Sequence, residues 1–177
     1  MGAAAPTLSE CDLRRRTPVI VVLLGTNPYP FTRLLAAVDA WAGQNREKVL
    51  AQIGHTVCEV QHIEAYDFLP HQQIMEWLDD ADVLITQGGF GSIMDCLRAS
   101  KPTIVVPRHP ELGESQDNQA ELARAIADRG EVIYLDDIDN LDEAIRAARE
   151  IRVSPRRESS IPQIVAEKVS LALDKRG

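Results

Sequence analysis

The chain is short of cysteine, aromatic residues, long apolar runs and positive charge, and each shortage removes a class of protein. Cys11, Cys58 and Cys96 are odd in number, far apart and in no C-x-x-C pair. That argues against a disulfide framework or a zinc site and for a reducing compartment. The longest purely apolar run, Val19–Leu24, falls far short of the ~20 residues of a membrane-crossing helix. No apolar segment follows the first residues in the manner of a signal peptide. The net charge of −8 speaks against a nucleic-acid backbone as partner. It also means that an anionic ligand must be held by local dipoles and a few cations. Neither G-x-G-x-x-G nor G-x-x-x-x-G-K-[ST] occurs, so dinucleotide and P-loop chemistry lack their usual fingerprints.

The composition that remains, 45% hydrophobic and 26% charged over 177 residues, is that of an ordinary globular domain. A chain of this length buries about 70% of its unfolded surface.

The most informative stretch is Asp82–Pro107, DVLITQGGFGSIMDCLRASKPTIVVP. Its pattern predicts a buried strand over Asp82–Thr86, a glycine-rich turn over Gln87–Gly91, a helix over Ser92–Ser100 and a second buried strand over Thr103–Val106. Apolar runs without alternation on either side of a short helix mark a parallel strand–helix–strand unit. Gly88, Gly89 and Gly91 present no Cβ to a ligand, and the N–H groups and positive dipole end of the following helix face the turn. Together they form a seat suited to phosphate or pyrophosphate. A glycine turn serving only chain reversal explains the same residues.

Along the rest of the chain, 1–17 reads as a flexible segment with a solvated basic run at Arg14–Arg16. Pro18–Leu24 reads as a buried strand, followed by the loop Gly25–Pro30 and a helix over Phe31–Asn45. A strand is expected at Val49–Ile53, a short one within Glu59–Phe68, and a helix over Pro70–Asp80. After the glycine unit come a polar loop, Arg108–Gln116, a helix over Asp117–Arg129 closed by Gly130, and a strand over Glu131–Leu135. A helix over Asn140–Glu150 is expected to carry an Asn140/Glu143 N-cap pair. A polar linker, 154–160, precedes an amphipathic helix over Ile161–Lys175. The domain proper is thus 18–153, with 154–177 as linker and C-terminal helix.

Strands alternating with helices predict an α/β fold, an open parallel sheet with helices on both faces, Rossmann-like. Ligands bind such sheets beyond the carboxyl ends of the strands. Gly25–Pro30, Gly54–Thr56, Gln87–Gly91 and Arg108–Gln116 all follow strands and so share that edge.

Four ordered pieces, LLGTNPYPFTRLLAAVD, AQIG, ITQGGFGSIMDCL with KPTIVVPR, and LGESQDNQAELA, resemble the family 28 glycosyltransferase C-terminal domain. That domain is the nucleotide-sugar-binding half of a GT-B fold. The likeness spans about Val19 to Leu141 and is nearest to the short, stand-alone PssE-like form of bacterial exopolysaccharide assembly. Related halves occur in MurG and in the yeast subunit that completes the dolichol-linked N-acetylglucosamine transferase.

The resemblance implies a UDP-sugar as donor, with no cofactor or metal. It implies diphosphate contacts from Gly25 and Thr26, from Gly88, Gly89, Phe90, Gly91 and Ser92, and from Arg108. Ribose and uracil fall to Asp95 and Leu69, and the sugar to Glu114, Asn118 and Gln119. The catalytic base is not identifiable. Gln87, Ser115 and Asn118 stand where the family carries histidines, and the amides of Gln87 and Asn118 replace imidazole only in part.

The same resemblance implies a second, membrane-associated PssD-like chain that supplies the acceptor domain and anchor. The present chain would then act in the cytoplasm, at the inner face of the membrane and only through that partner. The replaced histidines motivate an alternative, a non-catalytic enhancer that stabilises or localises a transferase. A weaker option, an epimerase-like hydrolase, lacks an acid–base pair.

Several residues carry a plainer reading beside the functional one. Ser92 and Asp95 also spell a capping box. Arg108 can be a surface charge, Glu114 a solvated loop residue, and Asn118 and Gln119 the polar start of a helix. His55, His62, His71 and His109 have no ligand spacing, and Trp41 and Trp77 sit at helical core positions.

Overall fold

A computed structural model describes residues 19–151; the segments 1–17 and 154–177, with the helix expected at Ile161–Lys175, lie outside the described residues. Six parallel strands form one sheet: β1 (Val19–Leu23), β2 (Lys48–Gln52), β3 (Glu64–Tyr66), β4 (Val83–Gln87), β5 (Thr103–Val106) and β6 (Ile133–Tyr134). Their order is β3-β2-β1-β4-β5-β6, with every pairing parallel. Five helices connect them: α1 (Thr32–Asn45), α2 (His71–Asp80), α3 (Phe90–Ala99), α4 (Ala120–Ala127) and α5 (Leu141–Glu150).

Both faces of the sheet are covered, so its central strands carry no polar face; β4 is buried at all five positions and β5 at all four. On one side Ile20, Val22, Val83, Ile85 and Ile104 pack against Leu34, Leu35, Val38 and Trp41 of α1 and Ala144, Ile145 and Ala148 of α5. On the other, Val21, Leu23 and Leu84 meet Leu78 of α2 and Cys96 of α3. Val105 there meets Ile93 and Leu97 of α3 and Ala123 and Ile126 of α4. Successive residues of one strand therefore feed opposite cores. The strand order reverses between β1 and β4, which makes their carboxyl ends the topological switch point of the sheet.

The expected elements are present, with shifted ends. Gln87 belongs to β4 rather than to the turn, and α3 begins at Phe90 rather than Ser92, with Gly89 at its N-cap. The turn is thereby reduced to Gly88 and Gly89. Helix α4 is confined to Ala120–Ala127 because Asn118 Oδ1 accepts the Ala120 N–H and holds the chain just ahead in a turn. β6 keeps only Ile133 and Tyr134, since it lies at the sheet edge and pairs with β5 over two residues. The Asn140/Glu143 cap does not form: Asn140 donates to Asp137 Oδ2 at 3.4 Å, and a short 3-10 turn, Ile138–Asn140, leads into α5 instead. Trp41 is a core residue, as its position implied, with its indole N–H on Asp142 Oδ1 at 3.0 Å.

Candidate functional site

At the switch point an open cleft of about 320 Å³ lies between the loops that leave β1, β3 and β4. Gly25 and Thr26 form one wall. Gly89, Phe90, Gly91, Ser92 and Asp95 form the facing wall, Gln87 and Gln52 the floor, and Phe68, Leu69, His71 and Ile74 the far end. Eight residues expected to bind a nucleotide sugar thus line one cavity. Phe90 is half exposed at the rim and leaves the hollow open.

The start of α3 supplies the polar character of this cleft. The first bond within the helix is Ile93 N–H to Gly89 O, so the N–H groups of Phe90, Gly91 and Ser92 precede the ladder. No side chain caps them. The capping box expected from Ser92 and Asp95 is absent because Ser92 is the third helical residue, not the N-cap. Asp95 instead faces the Arg98 guanidinium at 3.3 Å and His71 Nε2 at 3.4 Å. A Cβ built on Gly91 meets nothing within 4 Å, so the fold itself does not require glycine there.

The opposite wall is held by Gln52. Its side chain accepts the Gly25 N–H at 3.1 Å and donates from Nε2 to Gly25 O and Asp67 O, each at 3.0 Å. One buried amide therefore joins the loops after β1 and β3. Gly25 adopts φ +70, a left-handed conformation that suits glycine.

The remaining expected residues lie outside this cavity, and two of them are buried. Arg108 is not on the cleft wall but buried at 1% exposure, because its guanidinium bonds fold inward. Nε–H donates to Gln87 Oε1 at 2.5 Å, Nη1 to Tyr29 O and Glu114 O, and Nη2 to Leu24 O. Its face also covers the Phe31 ring at 4.5 Å. Burial lowers its pKa to about 10, against the opposing pull of Glu114, so it remains a cation at neutral pH. Glu114 is likewise buried, held bidentately by Arg33 at 3.0 and 3.1 Å and by the His109 N–H at 3.0 Å. Its carboxylate is occupied inside the protein and does not reach the cleft.

Gly88 is reserved for packing: a Cβ there would lie 2.8 Å from Gln119 Cβ. Gln119 Oε1 is a buried oxygen without a partner beside that turn, and Asn118 is exposed. Among the described residues no lysine or arginine lines the cleft. Three cleft residues escaped sequence reasoning. Gln52 lies in the AQIG piece but was given no role of its own, Phe68 gave no motif, and His71 was set aside for want of ligand spacing, although its place at the start of a helix after β3 carried the signal.

A family model described as glycosyltransferase family 28 C-terminal domain matches residues 19–172. No protein of curated function matches significantly. Among solved structures, the glycotransferase of kitacinnamycin superposes with TM-score 0.62 at 20% identity, over 76% of this chain and 35% of that one. The calicheamicin glycosyltransferase CalG4 gives TM-score 0.60 at 19% identity, over 78% and 35%. The solution structure of ALG13 gives TM-score 0.57 at 18% identity, over 85% and 94%. At these identities the likeness establishes the fold, the Rossmann-like half of a GT-B architecture. The chain spans about a third of the length of the first two.

Proposed function

The chain belongs to the glycosyltransferase family 28 C-terminal domain family, and from that premise we propose that it is the donor-binding subunit of a two-component glycosyltransferase. In this reading it holds a UDP-sugar for transfer to a lipid-linked acceptor in bacterial polysaccharide synthesis, as PssE-like chains do. The observation that carries the proposal is the uncapped start of α3, Phe90–Gly91–Ser92, opening onto a cleft at the β1/β4 switch point.

The diphosphate lies against those three N–H groups, with Gly91 admitting it to contact distance. As the sugar departs, negative charge grows on the diphosphate, and preorganised N–H donors stabilise it without rearrangement. With no Lys or Arg on the cleft among the described residues, the helix end carries this role, and Arg108 contributes only from behind. Asp95 meets the ribose hydroxyls, while Leu69 and Phe68 border the base. No cofactor or metal enters the scheme.

The opposite wall, the acceptor and the general base come from a membrane-associated, PssD-like partner, which also brings this chain to the inner face of the membrane. Among the described residues no helix is long and apolar enough to cross a membrane. Val57, Phe68, Phe90 and Leu112 are exposed at 91%, 51%, 49% and 61%. Val57 and Phe68 stand on loops, Phe90 at the start of α3 and Leu112 on a 3-10 turn, all after the carboxyl ends of strands, where such a partner would sit. The match to ALG13 over nearly its whole length supports a subunit of one such domain.

Calorimetric titration of the chain, alone and with its copurifying partner, against UDP and UDP-sugars tests the proposal. Saturable binding of the diphosphate is expected, together with sugar transfer when the partner is present. A second reading, a non-catalytic enhancer, is favoured by the absence of a cleft cation, and it requires no nucleotide binding even with the partner bound.

A further inference from the structure

Gln87 lies at the floor of the cleft and Arg108 lies buried behind it. Arg108 Nε–H donates to Gln87 Oε1 at 2.5 Å. An arginine has donors and no acceptor, so this bond fixes the carbonyl end of the amide inward and turns its NH2 end outward. That NH2 group occupies the gap between the two glycine walls. Gln87 Nε2 is 1.9 Å from where a Cβ of Gly25 would stand and 3.1 Å from that of Gly89, so both positions leave room for it. Among the described residues Nε2 has no acceptor, although Gln87 as a whole is only 6% exposed. A donor held in one orientation at the floor of an open cleft, with only solvent to receive its bond, marks a place where a ligand oxygen can replace water.

Arg108 is held with equal care. Tyr29 O at 2.8 Å, Glu114 O at 3.0 Å and Leu24 O at 3.0 Å fix the guanidinium plane. The Phe31 ring closes its face. The plane cannot turn without breaking bonds to three backbone segments, so the direction of the Gln87 amide is set by the fold and not by solvent.

We propose that Arg108 is a positioning residue that locks the Gln87 amide with its NH2 group facing the cleft, where it donates a hydrogen bond to a non-bridging oxygen of the bound diphosphate. This rests on the reading of the cleft as a nucleoside diphosphate site. It adds one side-chain donor opposite the N–H groups of α3. It also gives Arg108 a role at second hand: its charge acts through the amide it orients and does not touch the phosphate.

Gln87→Glu separates this role from a structural one. The variant keeps an acceptor for Arg108 Nε–H, now as an ion pair, and replaces only the outward NH2 by an anionic oxygen. Binding of UDP and of uridine is measured for the full chain and the variant by calorimetry, with thermal midpoints alongside. A charge-assisted hydrogen bond of this kind corresponds to about 10- to 100-fold in affinity. The expected result is that UDP binding falls by at least that factor, uridine binding changes little, and the variant stays folded. Gln87→Met, which has no polar end, should lose less UDP affinity than Gln87→Glu and still more than it loses for uridine.

Equal UDP affinity in the full chain and Gln87→Glu overturns the proposal while leaving the nucleotide site standing. Parallel losses for UDP and uridine in both variants overturn it as well, because they report a structural role. Failure of the unmodified chain to bind UDP, alone or with its partner, overturns the reading of the site and this inference with it.

Discussion

Gln52 and Gly25 exchange two hydrogen bonds, Gly25 N–H to Gln52 Oε1 at 3.1 Å and Gln52 Nε2 to Gly25 O at 3.0 Å. Gln52 is 4% exposed, so water replaces these bonds only in part. Gln52→Leu preserves bulk but leaves both Gly25 backbone groups without this partner, while Asp67 O keeps its bond from the Gly54 N–H at 2.8 Å. An unpaired buried group costs about 1–3 kcal/mol, and part of the strain relaxes through the loop. We expect a loss of about 2–4 kcal/mol in urea unfolding, with protease sensitivity concentrated in the loops after β1 and β3.

Gly91 and Gly25 differ in what their missing Cβ is for. At Gly91 a methyl group meets only open space, and alanine suits a helix better than glycine does. Gly91→Ala is therefore expected to keep or raise the thermal midpoint while weakening UDP binding by about tenfold or more, because the methyl group holds the diphosphate away from the N–H groups of α3. At Gly25, φ +70 and the Gln87 amide both oppose a side chain. Gly25→Ala should lower stability and binding together, which differential scanning calorimetry and UDP titration will distinguish.

How much of this was legible beforehand follows from what kind of information each feature needs. The sheet was legible because its strands are continuous apolar runs, as at Val83–Gln87 and Thr103–Val106, and burial on both faces leaves no other use for them. The cleft was legible because glycines after strands lie at one edge by topology. The roles of Arg108 and Glu114 were not legible. A charged residue after a strand reads as a ligand contact, and only the fold reveals that Arg33, Tyr29 O and Leu24 O, from the loop and helix after β1, reach across to occupy these charges. The helix start was misplaced for a simpler reason: glycine and phenylalanine are weak helix markers, so Ser92 seemed the natural cap.

Glu114 and Arg33 give a prediction that separates the two readings of the acid. The pair is bidentate, with Glu114 at 7% and Arg33 at 22% side-chain exposure. Removing one partner of a buried pair costs about 3–5 kcal/mol, reduced here because Arg33 still reaches solvent. Glu114→Ala is expected to destabilise the chain by about 1–3 kcal/mol. At a temperature where the variant is folded, its affinity for UDP-sugars should match that of the unmodified chain; a selective loss of that affinity would return Glu114 to the sugar site.

Asp95 lies on the cleft wall between His71 and Arg98, and its proposed task is the ribose. The comparison that reports on it is UDP against its 2′,3′-dideoxy analogue. The unmodified chain should favour UDP, since hydrogen bonds to a carboxylate amount to about 1.5–3 kcal/mol. Asp95→Ala should bind the two alike. A preference that survives the substitution assigns the hydroxyls to another group.

Cys96 is fully buried under the sheet, and burial, with Asp95 nearby, pushes its thiol up to about 12 from 9.0. A folded value above the unfolded one means that the native state holds its proton longer. This contribution is complete below about pH 9 and is lost as pH rises toward 12. Stability should therefore decline through that alkaline window, by about 1.4 kcal/mol for each unit between the two values once the pH has passed both. In a Cys11→Ser background a thiol reagent at pH 8 should modify one cysteine in the native chain, Cys58, which is partly exposed. It should modify two in urea. Rapid native labelling of Cys96 would show that α3 opens away from β1 and β4, and would undo the rigid helix start on which phosphate binding has been argued.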